Sequence, residues 1–205
     1  MRVTAQKLSR YVDNAAKSNV ARSTRRFFFN YLNESVADRG YFHVDQMYGL
    51  GSGVLLKINE KFFILTANHV VQNNTLGNFQ NESPFWFAIK DNKNVSGMRD
   101  FLYPKRIWFI GELISKISSD VDQSDVLLIE LFQPQEFNMP NHYIEIIDTQ
   151  SVLTKDELFD GQILLVSGYP FERNYFDSDS KIEGFDHATN VQRHTVPGVH
   201  KKPKA

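Results

Sequence analysis

The sequence predicts an all-β fold preceded by an N-terminal helical extension, and three observations lead there. From about residue 41 onward, short apolar runs recur between polar turn residues. Those runs are rich in Val, Ile, Leu and Phe, side chains that suit a pleated, half-buried surface. Before residue 41 the pattern differs: Leu8, Tyr11, Val12 and Ala15 recur at the three-and-four spacing of one helical face.

Taken in order, residues 4–32 read as helical. Arg22, Arg25 and Arg26 then run straight into Phe27-Phe28-Phe29. The simplest reading is a solvated basic face beside a packed aromatic edge; the functional counterpart is a docking arm or a nucleic-acid contact. "GSGVLLKI" (51–58) and "FFILTANHV" (62–70) flank Asn59-Glu60-Lys61, a polar connection that suits a hairpin. Further strands are expected at 85–90 (FWFAIK), 106–114 (RIWFIGELI), 125–132 (DVLLIELF), 143–147 (YIEII) and 163–169 (ILLVSGY). Many short strands with polar turns point to a barrel or a sandwich. Residues 171–205 are polar and show no strand of convincing length, although a domain rarely ends in so long an irregular stretch. The expected organisation is a helical extension over 1–40, a β domain over 41–170 and an irregular polar tail over 171–205.

Composition narrows the function. A formal net charge of −1 argues against a nucleic-acid or membrane-surface binder, which needs a basic field. No apolar run approaches the roughly 18 residues that cross a bilayer. The N-terminus lacks the apolar core of a secretory signal. Cysteine is absent, so disulfides, thiolate metal sites and a cysteine nucleophile are excluded together, which fits a cytoplasmic location.

His69 stands at the end of the most strand-like run, and a lone histidine there is by default structural. A general base, however, belongs at just such a rigid strand end. It also needs an acid to orient it and stabilise the imidazolium. Asp125, at the head of "DVLLIEL", is by itself an ordinary turn aspartate; the pair is more specific than either member.

"GSGVLL…FFILTANHVV" resembles the first-barrel signature of the trypsin/chymotrypsin-like serine proteases, in which a Gly-Ser-Gly strand precedes a strand ending Leu-Thr-Ala-Ala-His. "SDVLLIEL" resembles that family's Asp-Ile-Ala-Leu-Leu segment, and "GQILLVSGYP" the strand that opens its second barrel. The resemblance covers roughly residues 41–170, with Asn68 standing where the family usually has alanine. It implies a trypsin-like double β-barrel with the first barrel present and the second only partial. It also implies His69 as general base, Asp125 as orienting acid, a peptide or protein substrate, and no cofactor or metal.

The third member is missing. The family's Gly-x-Ser-Gly-Gly turn, which supplies nucleophile and oxyanion amides together, does not occur. Among the serines, Ser52 is upstream, Ser167 lies within a strand, Ser178 and Ser180 are flanked by acids, and Ser151 has no motif around it. The expectation is therefore a protease domain lacking its serine, with a non-catalytic binding module as the rival. In that rival the protease-like half-barrel and the basic-aromatic N-terminal segment, with Arg25, Arg26 and Phe28, would dock a partner, and His69 and Asp125 would be relics. Exposed edge strands of an unfinished barrel would favour self-association. His187, His194 and His200, with Asp186, match no metal-ligand spacing.

Overall fold

The structure, a computed structural model, describes residues 4–30, 47–48, 51–72, 85–91, 95, 98–111, 123–147, 159–170, 174 and 191–201. Two helices open the chain. Helix α1 (Ala5–Ala16) is capped by Thr4, whose hydroxyl accepts from the Lys7 amide. Ser18 caps the short α2 (Asn19–Arg22) in the same way.

Helix ends there. The helix expected to continue to residue 32 gives way at Thr24 to strand β1 (Thr24–Asn30). The physical reason is burial on both faces. Phe27 and Phe29 point into one hydrophobic core while Phe28 points into a second. A strand with apolar residues on both sides reads as an unbroken apolar run, which periodicity alone does not separate from a buried helix. The solvated basic face is likewise corrected, because Arg25 and Arg26 are each 1% exposed.

After β2 (Met47–Tyr48), β3 (Ser52–Ile58) and β4 (Lys61–Ala67) form the expected hairpin. Ile58 pairs with Lys61, leaving Asn59 and Glu60 as a two-residue turn with φ of 47° and 65°. Positive φ at both positions is the type I′ geometry that matches strand twist. The remaining strands of this sheet are β5 (Phe85–Ala88), β6 (Phe101–Leu102), β7 (Pro104–Trp108), β8 (Val126–Leu131) and β9 (Ile144–Ile146). Hydrogen bonding runs in the order β6-β5-β1-β3-β4-β8-β7, with β2 beside β1 and β9 beside β3. Only β3–β9 is parallel among the described pairs. The architecture is thus mainly antiparallel β with few helices. The strands at the two ends of this order, β6 and β7, are separated in the chain by Tyr103 alone.

The main core packs Phe27, Phe29, Leu55, Phe62, Ile64 and Leu127 with their neighbours. Phe27 and Phe87 meet edge to face with centroids 4.5 Å apart, a favoured aromatic geometry. Glycine is required where backbone meets side chain. A Cβ on Gly53 would lie 2.4 Å from Ile64 Cγ2 and 2.9 Å from Phe27 Cε2.

A separate two-stranded sheet pairs β10 (Ile163–Gly168) with β11 (His194–Val199). The tail expected to be irregular over 171–205 therefore contains a strand. Helix α1 packs against this hairpin, and the Arg193 guanidinium donates to the Ala16 carbonyl at the helix end, 2.7 Å away. No described helix is long and apolar enough to cross a membrane.

Candidate active site

Strand β4 carries the site to its position. Thr66, near its end, donates its hydroxyl to the Ser52 carbonyl at 3.1 Å, joining the two strands of the hairpin where they approach the site. The chain then turns into α3 (Asn68–Gln72), a short helix anchored by Val71, which is fully buried in the main core. A Cβ on Gly51 would lie 2.3 Å from Val70 Cγ1, so glycine at this position lets the helix sit close to the start of β3. Opposite, residues 123–125 form a single 3-10 turn leading into β8. Ala67 pairs with Val126 across the β4–β8 ladder, so the residues just beyond that pair meet at the sheet's end.

Those residues are His69 and Asp125. Asp125 Oδ2 lies 2.6 Å from His69 Nδ1, and its Oδ1 accepts the His69 backbone amide at 2.7 Å. The Asn68 side chain reaches the Ser124 carbonyl at 3.4 Å, a further tie between the two turns. Two carboxylate oxygens thus hold one residue by ring and by backbone, which fixes both the place and the orientation of the imidazole.

The protonation pattern follows from the acceptor. Asp125 is held below the usual carboxylate range, chiefly because the His69 amide donates to it and also through the bond to the His69 ring. An ionised carboxylate only accepts, so Nδ1 carries the proton and Nε2 is the basic nitrogen of the neutral ring. The His69 side chain is 62% exposed, and Asp125 is half as exposed at 31%. This is the arrangement a general base requires: an oriented ring, a fixed tautomer, and access for a reacting group.

The two residues singled out in the sequence, 56 positions apart, are therefore brought together. Of the candidate serines, the two that are described are engaged elsewhere. Ser52 Oγ accepts the Tyr169 amide at 3.2 Å, and Ser167 Oγ lies 2.7 Å from Thr195 Oγ1. Ser151, Ser178 and Ser180 lie outside the described residues, as do Asp186 and His187. His194 opens β11 and His200 follows it, its amide donating to the Gln162 carbonyl.

Sequence reasoning missed a second polar centre. Arg25, Arg26, Asp91 and Asn174 are buried, together with the Tyr169 ring, whose hydroxyl is 2.8 Å from the carbonyls of both Thr24 and Asp91. Burial pulls both arginines down to about 10 and raises the Tyr169 phenol. The available signal was the position of Arg25 and Arg26 directly before the apolar run Phe27-Phe28-Phe29 in one strand, both of whose faces are covered.

Neither a family model nor a curated protein sequence matches this chain.

Proposed function

We propose that this chain carries the general-base half of a trypsin-like serine endopeptidase site. His69 Nε2 takes the proton of an attacking seryl hydroxyl, and Asp125 holds the imidazolium that results. The proton then passes from Nε2 to the leaving amine as the peptide bond breaks. The observation that carries this reading is the double hold of Asp125 on His69, at 2.6 Å to the ring and 2.7 Å to the amide.

The fold adds support. The end strands β6 and β7 follow one another with one residue between them, which supports reading the sheet as a barrel wall. No Gly-x-Ser-Gly-Gly turn occurs in the sequence, so this reading assigns the general base and its orienting acid and leaves the seryl oxygen and the oxyanion amides unassigned.

The rival reading is a binding module that docks a partner through the half-barrel and the basic-aromatic N-terminal segment. Within that segment Arg25, Arg26 and Phe28 are buried, which gives these three side chains no docking surface. A peptide-hydrolysis assay on the protein carrying this chain, isolated from its native source, tests the proposal. His69→Ala is expected to lower kcat by on the order of 10⁴-fold or more while the fold is retained. Unchanged turnover in a folded variant would remove His69 from the chemistry.

A further inference from the structure

Away from the His69–Asp125 pair, four separate segments bring charged groups to one place. Arg22 and Arg25 come from the α2–β1 junction and Asp91 from the end of β5. His142 precedes β9, and Arg193 precedes β11. Asp91 Oδ2 lies 3.3 Å from Arg193 Nη2 and 3.5 Å from Arg22 Nε. Arg25 donates through Nη1 to the carbonyls of Arg22 and Thr24, at 2.5 and 2.9 Å, and through Nη2 to the His142 carbonyl.

Two features of this cluster are unbalanced. The guanidinium groups of Arg22 and Arg193 share the one carboxylate of Asp91, and the Arg25 guanidinium, drawn down by burial only to about 10, lies in the same electrostatic neighbourhood. Moreover, Arg25 Nε, Arg193 Nε and Arg193 Nη1 are buried with no hydrogen-bond partner among the described residues. Arg25 is 1% exposed and the Arg193 side chain 9%, so water does not easily satisfy them. Buried charges are normally paired and buried N–H groups bonded, and the departure here is on the donor side alone. Backbone carbonyls already take the other guanidinium nitrogens, so the missing partner is an acceptor that also carries negative charge.

We propose that the Arg22–Arg25–Arg193 cluster is a binding site for a small oxyanion, a phosphate or a free carboxylate. Guanidinium N–H groups match such oxygens in geometry and charge. Arg22, whose side chain is 42% exposed, faces solvent. His142 fits the same picture. Burial and then the nearby Arg22 charge hold it below its ordinary value, so it stays neutral in an already positive neighbourhood. Occupancy would also join the helical N-terminus to the β10–β11 hairpin, since Arg193 bonds the end of α1.

Thermal unfolding of the full chain in sodium phosphate, sodium acetate and sodium chloride at matched ionic strength tests the site. Beyond saturation, Tm is expected to rise by about 3–6 °C for each tenfold increase in phosphate, relative to chloride. An equal effect of acetate assigns the site to carboxylates as well; no effect of acetate restricts it to phosphate. Arg22→Gln, at a partly exposed position that folding tolerates, is expected to weaken the phosphate response about tenfold or more. Saturable broadening of the ³¹P resonance of inorganic phosphate by the wild-type protein is a second, direct readout. Identical Tm in all three salts together with an unbroadened resonance overturns the proposal.

Discussion

At the scale of single residues, the candidate site depends on Asp125. Its carboxyl is held below its ordinary value near 3.8 in the folded chain by the His69 amide and ring. A depressed carboxylate stabilises the fold above its unfolded value, and this contribution disappears as pH falls through the lower folded value. Urea midpoints of the wild type and Asp125→Asn should therefore differ above pH 3.8 and converge as pH falls below it. A gap that persists at low pH would point to a cause other than the carboxylate charge. Gly53 is the second such residue. With Ile64 Cγ2 at 2.4 Å from the site of an added Cβ, Gly53→Ala should cost about 1–3 kcal/mol, read as a lower urea midpoint. His69 and Asp125 were legible in the sequence because each sits at the end of an apolar strand, where a polar residue stands out. Arg25 and Arg26 were not, since their carbonyl acceptors come from residues as distant as His142 and Asn174.

At the scale of elements, the β3–β4 hairpin was legible from its polar break between two apolar runs, and its turn type was not. Glu60 adopts φ of 65°, a left-handed conformation that favours glycine. Its side chain is 85% exposed, so the ion pair to Lys57 at 2.9 Å contributes little. Glu60→Gly should therefore stabilise the protein by about 0.5–1 kcal/mol, the relief of backbone strain less the extra entropy of the unfolded chain. A lower Tm for this variant would mean the ion pair matters more than the strain. Strand β1 was misread because Phe27-Phe28-Phe29 is apolar on both faces and follows a real helix. Strand β11 was missed because it contains Pro197 and Gly198. Both depress strand propensity, yet proline is tolerated in a two-stranded sheet where one side of the strand carries no ladder.

At the scale of the whole molecule, the all-β class was legible because strand-length apolar runs recur at short intervals. The helix-to-strand change at Thr24 was not, since it depends on a second core formed by Phe28, Phe101, Tyr169 and Val191. The β10–β11 hairpin leaves Ile163, Val166, Val196 and Val199 between 39% and 60% exposed. Edges and faces of this kind pair with other chains. The 205-residue chain is accordingly expected to self-associate as concentration rises, and light scattering that shows a monodisperse monomer throughout would contradict this. The peptidase proposal is tested most directly by exposing the protein from its native source to a fluorophosphonate probe and weighing the intact product. The expected result is an adduct on a species heavier than 23.7 kDa that contains this chain, with labelling lost in His69→Ala. An unlabelled species of 23.7 kDa would contradict it, leaving the His69–Asp125 pair as a structural tie between α3 and the turn before β8.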